Sequence, residues 1–289
     1  LIIISRLALS AFAAARLPAV PVTCVTFVCN GVTAAAYLNG RYIFAIGSSA
    51  FGNFIHSADG INWTVGQVPS SSFITSMAYD PTTGTYAFAT NVSGIWTSTT
   101  LAVGSWTQRT TFGGFWCHDV KWYGGSINRF VAVGSNDTTP GGTGGRIEVA
   151  TSPGTTWTNQ TISGTTPTTS LKNSAWDGAS TICTITGNNI TISTSGAGSW
   201  TGYSGANTFN PSGSGVPGMQ LSSASAIYWN PTASKWMSFR SNNNAIYGNS
   251  STTTPSGFWT VGHHQDYLNN RYYQDSDSNG FANVANVNT

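Results

Sequence analysis

Residues 34–47 read AAAYLNGRYIFAIG, two short apolar segments joined by a polar turn. The first segment ends in an aromatic residue, Tyr37, and the second spans Tyr42–Gly47. Asn39 and Gly40 between them are residues that tight turns favour. The stretch therefore predicts a β-hairpin whose first strand ends in an aromatic side chain.

The same pattern recurs along the chain with a period of roughly 45 residues. Strand-ending aromatic residues occur at Tyr37, Tyr79, Trp122, Trp176 and Trp229. The second strands are predicted at Tyr42–Gly47, Tyr86–Thr90, Arg129–Gly134, Thr181–Thr186 and Lys235–Arg240. Each unit closes on a Trp-Thr pair, at Trp63, Trp106, Trp157, Trp200 and Trp259. Three markers that recur in the same order indicate a repeated unit of four short strands.

Repeated four-stranded units are typical of the blades of a β-propeller, which bury their sheets by packing radially. We therefore predict an all-β fold, a β-propeller of five to six four-stranded blades. Six is favoured because Tyr267–Tyr272 (YLNNRY) repeats residues 37–42 with one change. The residues that follow are too few for a complete blade, so the strand Val22–Val28 is expected to close the last one. The predicted domains are an N-terminal apolar arm, 1–21, and the propeller, 22–289.

One turn resembles a known motif. Residues 57–63, SADGINW, are similar to the Asp-box of sialidase-like propellers, shortened by one residue between Asp59 and Gly60. Asp is expected to accept backbone N–H groups, Gly to take a positive φ, and Trp to anchor the hairpin. We interpret Ser57, Asp59, Gly60 and Trp63 as structural, together with the other anchors Trp106, Trp157, Trp200 and Trp259.

The resemblance to sialidase-like proteins implies a test for catalysis. That family uses three arginines on a substrate carboxylate, a Tyr–Glu pair and an acidic acid/base. The sequence has a single glutamate, Glu148, and its arginines are scattered, so no such set is carried over. Glu148 is expected to be an exposed strand residue, and a diverged glycosidase is only the third reading.

Composition narrows the function further. Charged residues make up 7% of the chain, the formal net charge is +2, and the 11 basic residues are scattered rather than clustered. Nucleic-acid binding is therefore disfavoured. The low charge and the abundant Ser, Thr, Asn and Gly resemble the composition of bacteriophage tail and fibre proteins, which predicts a virion or extracellular surface location.

The N-terminal segment, 1–21, is apolar and contains Arg6 and Arg16. It is too short and too interrupted for a membrane span. A secretory signal remains open, as does packing on the propeller itself. The favoured reading is an assembly arm that docks on neighbouring protein subunits and makes the protein an oligomer.

Cysteine and histidine patterns predict no cofactor and no metal site. Cys24 and Cys29 lie close enough in sequence to form a disulfide, and buried thiols are the alternative. Cys117-His118-Asp119 and His263-His264 contain potential ligands, but their spacing matches no metal motif. We read them as polar loop residues.

Loops that join one blade to the next gather on one face of a propeller and are the expected binding surface. They are predicted at 64–74, 107–117, 158–171, 201–224 and 260–266. The candidate binding residues are Phe115, Trp116, Tyr203, His263 and His264 in these loops, together with His118. Packing between blades is the alternative role for Phe115 and Trp116.

These observations favour a non-enzymatic structural or adhesion protein of a surface assembly, with a tailed-bacteriophage virion as its setting. The second reading is a lectin-like module that binds cell-surface glycans.

Overall fold

The computed structural model describes residues 31–47, 52–70, 72–92, 94–109, 116–136, 143–186, 189–204, 224–231, 234–240, 246–249 and 260–262. Several predicted features lie outside these residues: the arm 1–21, the strand Val22–Val28, Cys24, Cys29 and the repeat Tyr267–Tyr272. Phe115, Trp259, His263 and His264 also lie outside them.

The described chain forms five antiparallel sheets in sequence order, which we number as blades 1 to 5. Blade 1 contains β1 (Val32–Leu38), β2 (Arg41–Ile46), β3 (Gly52–Ser57) and β4 (Thr64–Val68). Blade 2 contains β5 (Ile74–Asp80), β6 (Thr85–Thr90), β7 (Gly94–Ser98) and β8 (Thr107–Gln108). Blade 3 contains β9 (Trp116–Tyr123), β10 (Arg129–Ser135), β11 (Gly145–Thr151) and β12 (Thr158–Asn159).

Blade 4 adds a fifth strand to this plan. It contains β14 (Asn173–Trp176), β15 (Ile182–Thr186), β16 (Asn189–Ser193) and β17 (Trp200–Ser204), with β13 (Ile162–Gly164) parallel to β17 at its outer edge. Blade 5 contains β18 (Ala224–Asn230), β19 (Lys235–Arg240), β20 (Ile246–Asn249) and β21 (Thr260–Gly262). The prediction of an all-β propeller is confirmed by these consecutive four-stranded meanders. No helix occurs among the described residues, so none there is long and apolar enough to cross a membrane.

The predicted hairpins agree with the observed pairing. Tyr37 lies directly opposite Tyr42, with ring centroids 4.9 Å apart, and Asn39 and Gly40 form the two-residue turn with φ of 50° and 69°. Direct aromatic pairs recur in three other blades at 4.7–4.9 Å: Tyr79 with Tyr86, Trp122 with Phe130, and Trp229 with Trp236. In blade 4, Trp176 faces Ile182 instead.

The Trp-Thr pairs occupy a different place from the one expected. They open the fourth strands rather than closing the units, since Thr64 begins β4 and Trp200 begins β17. The predicted loop ranges therefore start inside strands. The position of these fourth strands was not predicted from the sequence, because the short polar segments after each Trp lack the alternation of apolar and polar residues that is typical of a strand.

The core consists of layers between consecutive blades. Between blades 1 and 2, Phe54 meets Phe88 and Trp106, with ring centroids 5.2 and 5.8 Å apart. Trp157 is buried between blades 2 and 3, and Trp200 between blades 3 and 4. Both faces of the middle blades are thus covered, which is why strands such as β6, β7 and β16 are buried at every position.

The turn of residues 57–63 has the hydrogen bonds that its residue types predict. Asp59 Oδ1 accepts the backbone N–H groups of Ile61 and Asn62 at 2.8 Å, and Gly60 has a φ of 73°. The Trp63 indole N–H donates to the Gly60 carbonyl at 3.2 Å. Blade 3 repeats the last contact, from Trp157 to Gly154 at 2.9 Å.

Blade 3 lacks an aspartate in this turn, and a neighbouring blade provides one. The Ser152 hydroxyl donates to Asp80 Oδ2, which belongs to the first hairpin of blade 2. Asp80 also accepts hydrogen bonds from Thr82 and Thr83 at 2.6 Å. The carboxylate therefore fixes its own turn and links two blades.

Candidate functional site

The innermost strands share an irregularity near their N-terminal ends. β1, β5, β9 and β18 each contain one residue that their partner strand does not match, a β-bulge at Thr33, Thr75, His118 and Ser225. Each of these residues lies four positions before the strand-ending aromatic residue. Lys172 occupies the same position in blade 4, where its N–H donates to the Ile185 carbonyl at 2.8 Å. Bulges redirect side chains, so the same end of these four inner strands is reshaped.

The redirected side chains reach the next blade. Thr33 Oγ1 donates to the Ile74 carbonyl and Thr75 Oγ1 to the Cys117 carbonyl, both at 2.7 Å. His118 Nε2 lies 3.1 Å from Lys172 Nζ. The threonines satisfy backbone groups, whereas the Lys172 ammonium donates a hydrogen bond to His118 Nε2 at the boundary of blades 3 and 4.

Aromatic rings flank this pair. Trp116, two residues before His118, has its ring centroid 6.3 Å from the imidazole. The Phe73 ring packs edge-on against the Trp116 ring, with their centroids 6.2 Å apart. Phe73, Trp116, His118 and Lys172 are all partly exposed. We call these four residues the mouth cluster.

A buried polar belt lies one residue further along the inner strands. Asp119 Oδ1 accepts the Ser76 hydroxyl at 3.1 Å, and its Oδ2 accepts the Asn173 amide at 3.2 Å and the Ser174 N–H at 3.0 Å. Lys121 Nζ lies 3.2 Å from Oδ2. Asn173 in turn accepts the Ile227 N–H at 3.2 Å. The belt joins blades 2 to 5, and its residues Asp119 and Asn173 directly follow His118 and Lys172 of the mouth cluster in the sequence.

The electrostatics of the cluster follow from its partial burial. Burial lowers the pKa of Lys172, because the charged ammonium is the form that loses hydration. A lysine in such a setting releases its proton more readily than an exposed one. The site thus combines aromatic faces with polar N–H groups in a half-buried setting, which is the usual composition of small-ligand sites.

Glu148 is not exposed, so that prediction is wrong. It is fully buried in β11 between blades 2 and 3, and its Oε1 accepts from Arg146 Nη2 at 2.6 Å. Burial raises the pKa of Glu148 to about 7, although the Arg146 guanidinium lowers it. Its Oε2 is buried without a hydrogen-bond partner.

The remaining described carboxylates are occupied in turns and between blades. Hydrogen bonds from Asn62 and Ile61 hold the pKa of Asp59 far below its usual range. Asp177 accepts the N–H groups of Ala179, Ser180 and Thr181 at 2.8–3.0 Å. Within the described ranges, no group of three or more His, Cys, Asp or Glu residues is arranged to hold a metal ion.

Two of the predicted binding residues, Trp116 and His118, come together at the mouth, but they lie in strand β9 with Cys117 and Asp119, whereas a loop was predicted. Tyr203 does not lie in a face loop, which corrects its predicted position. It belongs to β17 and packs against the core between blades 4 and 5.

Lys172 was missing from the predicted set. The sequence does contain a signal for it, because aligning the units on their aromatic residues places Lys172 in register with His118.

Comparisons with known proteins agree on the fold. The chain is similar to a GH74 enzyme from Niastella koreensis (TM-score 0.55, 20% identity, 75% of this chain and 36% of that one). It is also similar to a catalytically inactive virginiamycin B lyase from Staphylococcus aureus, solved with quinupristin (TM-score 0.57, 13% identity, 82% of this chain and 71% of that one). A third similar structure is YCF48 bound to D1 peptide (TM-score 0.51, 11% identity, 81% of this chain and 70% of that one).

At these identities the similarity establishes a propeller-like fold alone. The chain spans 36% and 31% of the lengths of two GH74 enzymes that it matches. No protein-family model and no curated protein matches the sequence. Structures with this fold thus include GH74 enzymes, a lyase and a protein bound to a peptide, and the fold alone does not define the role of this chain.

Proposed function

We propose that this protein is a non-enzymatic adhesion propeller that binds a cell-surface glycan at the mouth cluster. The observation that carries the proposal is the convergence of Trp116, His118 and Lys172 at the redirected ends of two inner strands, with Phe73 beside them. A sugar ring can stack on the Trp116 face, while the amine and imidazole donate hydrogen bonds to its hydroxyl groups.

The positions of the carboxylates support binding over catalysis. Glycoside hydrolysis needs two carboxyl groups on either side of the scissile bond. Among the residues that the structure describes, Glu148 is buried beside Arg146, Asp119 belongs to the belt, and Asp59, Asp80 and Asp177 cap turns. The third reading, a diverged glycosidase, would require turnover that Glu148→Gln abolishes, and we expect no turnover of the bound glycan.

The proposed setting is the surface of a tailed-bacteriophage virion, with the propeller facing outward. It rests on composition: low charge together with abundant Ser, Thr, Asn and Gly. The arm 1–21 would attach the propeller to neighbouring subunits, and a chain that starts near Val22 should then fail to assemble. Normal assembly of that shortened chain would contradict the attachment role.

A glycan array tests the binding proposal. The wild-type protein should give saturable binding, and Trp116→Ala should weaken it about ten-fold, which corresponds to the loss of one stacking contact. Trp116→Tyr keeps an aromatic face and should retain most of the binding. Val103→Ala, at a surface position that is 63% exposed, is the matched control and should bind like the wild type.

Urea unfolding of each variant ensures that only folded proteins are compared. No saturable binding by the wild type, or equal binding by Trp116→Ala and the wild type, would overturn the proposal. Hydrolysis of the bound glycan would favour the enzymatic reading.

A further inference from the structure

The first described blade carries an aromatic face that differs in exposure from its counterparts. Tyr37, Tyr42, Phe44 and Trp63 lie on one face of blade 1, and the Phe44 and Trp63 centroids are 5.3 Å apart. Tyr37 is 61% exposed and Trp63 is partly exposed. Val32 and Val65 of the same blade are also exposed, at 43% and 45%.

The equivalent face is covered in every later blade, where the counterparts of Tyr37 are only partly exposed. In blade 2, Tyr86, Phe88 and Trp106 are 3%, 0% and 6% exposed, because blade 1 covers them. Trp157 in blade 3 and Trp200 in blade 4 are covered in the same way by the blade before them. Trp236 in blade 5 packs on blade 4. All four described layers therefore bury this face against the preceding blade.

Chain connectivity identifies what should precede blade 1. In three of the four described connections the inner strand directly follows the fourth strand of the blade before it, as β5 follows β4, and the exception is β14, which follows β13 of its own blade. By this rule, the residues just before β1 belong to the outermost strand of a blade that faces Tyr37. Those residues include Val22–Val28 (VTCVTFV), an apolar segment with three valines and two threonines that suits a strand.

The other end of the sequence provides the inner strands of such a blade. In the first hairpin, Asn39 and Gly40 both have positive φ, and Tyr37 pairs with Tyr42. The repeat Tyr267–Tyr272 keeps both tyrosines and replaces the turn by Asn269-Asn270. Asparagine is the residue after glycine that best tolerates positive φ, so the same hairpin is available there.

We propose that the aromatic face of blade 1 is the docking surface of a sixth blade built from both ends of this chain, with inner strands from residues 263–289 and the outermost strand from Val22–Val28. The ring then closes when both ends pack against Tyr37 and Trp63. This inference is independent of the glycan proposal, since it concerns a different surface.

A photo-crosslinker in the full-length chain tests the occupant. p-Benzoylphenylalanine in place of Tyr37 retains an aromatic ring at a position whose exposure tolerates the added group. Irradiation of dilute protein should give intrachain adducts in peptides from 22–28 or 263–289, several times more abundant than from the same probe at Val103. Mass spectrometry identifies the peptides, and gel filtration reports the oligomeric state.

Two results would overturn the proposal. Adducts between two copies, rising with protein concentration, would assign the face to a second subunit. A yield at position 37 no higher than at position 103 would show that nothing docks there. Urea unfolding of the labelled protein, compared with the wild type, confirms that the blades remain folded during the test.

Discussion

Asp119 should be among the most sensitive positions for folding. The side chain is 2% exposed and accepts hydrogen bonds from Ser76, Asn173 and the backbone and hydroxyl of Ser174, beside the Lys121 ammonium. Asp119→Ala removes the shared acceptor of three blades and leaves these donors buried. Leaving buried hydrogen-bond donors without an acceptor costs about 1–3 kcal/mol, so the free energy of unfolding should fall by that amount.

Urea unfolding followed by tryptophan fluorescence measures the effect, with the slope of the transition checked for two-state behaviour. Asp119→Asn keeps one carbonyl acceptor and the side-chain volume, and should cost less than Asp119→Ala. Asp177→Asn changes a carboxylate in an exposed turn and should alter stability by about 1 kcal/mol or less. A loss below about 1 kcal/mol for Asp119→Ala would refute the inference that the belt holds the blades together.

Two further predictions concern buried groups. Glu148 binds its proton more tightly in the folded state, with a pKa near 7, than at its ordinary value of 4.5. Its contribution to stability is therefore complete at acid pH and is lost as pH rises to about 7. The wild type should lose about 3 kcal/mol relative to Glu148→Gln between pH 4 and pH 8, measured by urea unfolding. An offset that is the same at both pH values would contradict this. At the β9 bulge, a Cβ on Gly134 would lie 1.9 Å from the Trp116 carbonyl oxygen, so Gly134→Ala should cost about 1–3 kcal/mol. Gly124→Ala, whose Cβ meets only Trp122 Nε1 at 3.6 Å, is the control and should cost less than about 1 kcal/mol. Equal thermal midpoints for these two glycine variants would show that the bulge tolerates a side chain.

The repeat was predictable because its markers are local. Tyr37, Asn39, Gly40 and Tyr42 specify one hairpin within six residues, and each later unit repeats the scheme. Turn-forming residues and the aromatic pair that faces across the two strands lie within a few residues of each other, so both can be recognised in the sequence. The five blades and their second strands follow from this pattern.

Glu148 shows what local pattern does not reveal. Arg146-Ile147-Glu148-Val149 alternates polar and apolar residues as a half-exposed strand does. In a propeller, however, both faces of a blade are covered by its neighbours, and β11 is buried from Gly145 to Ala150. The two charged residues therefore pair with each other inside a layer between blades.

The mouth cluster was predictable in part. Trp116 and His118 stand out as aromatic and titratable residues next to a strand. Lys172 lies 54 residues after His118 and meets it because β9 and β14 are adjacent inner strands and the bulge in β9 redirects the His118 side chain. A bulge is a property of the register between two paired strands, and that register cannot be predicted from one residue or one strand alone.

Glycan binding at the mouth cluster is tested most directly by ¹⁹F NMR of protein labelled with 5-fluorotryptophan, titrated with the glycan that the array selects. The Trp116→Phe variant assigns the Trp116 resonance. We predict a saturable shift of that resonance, while those of the buried anchors Trp106, Trp157 and Trp200 stay unchanged. Shifts confined to the anchors, or saturable binding that leaves Trp116 unmoved, would contradict a binding site at the mouth of the inner strands.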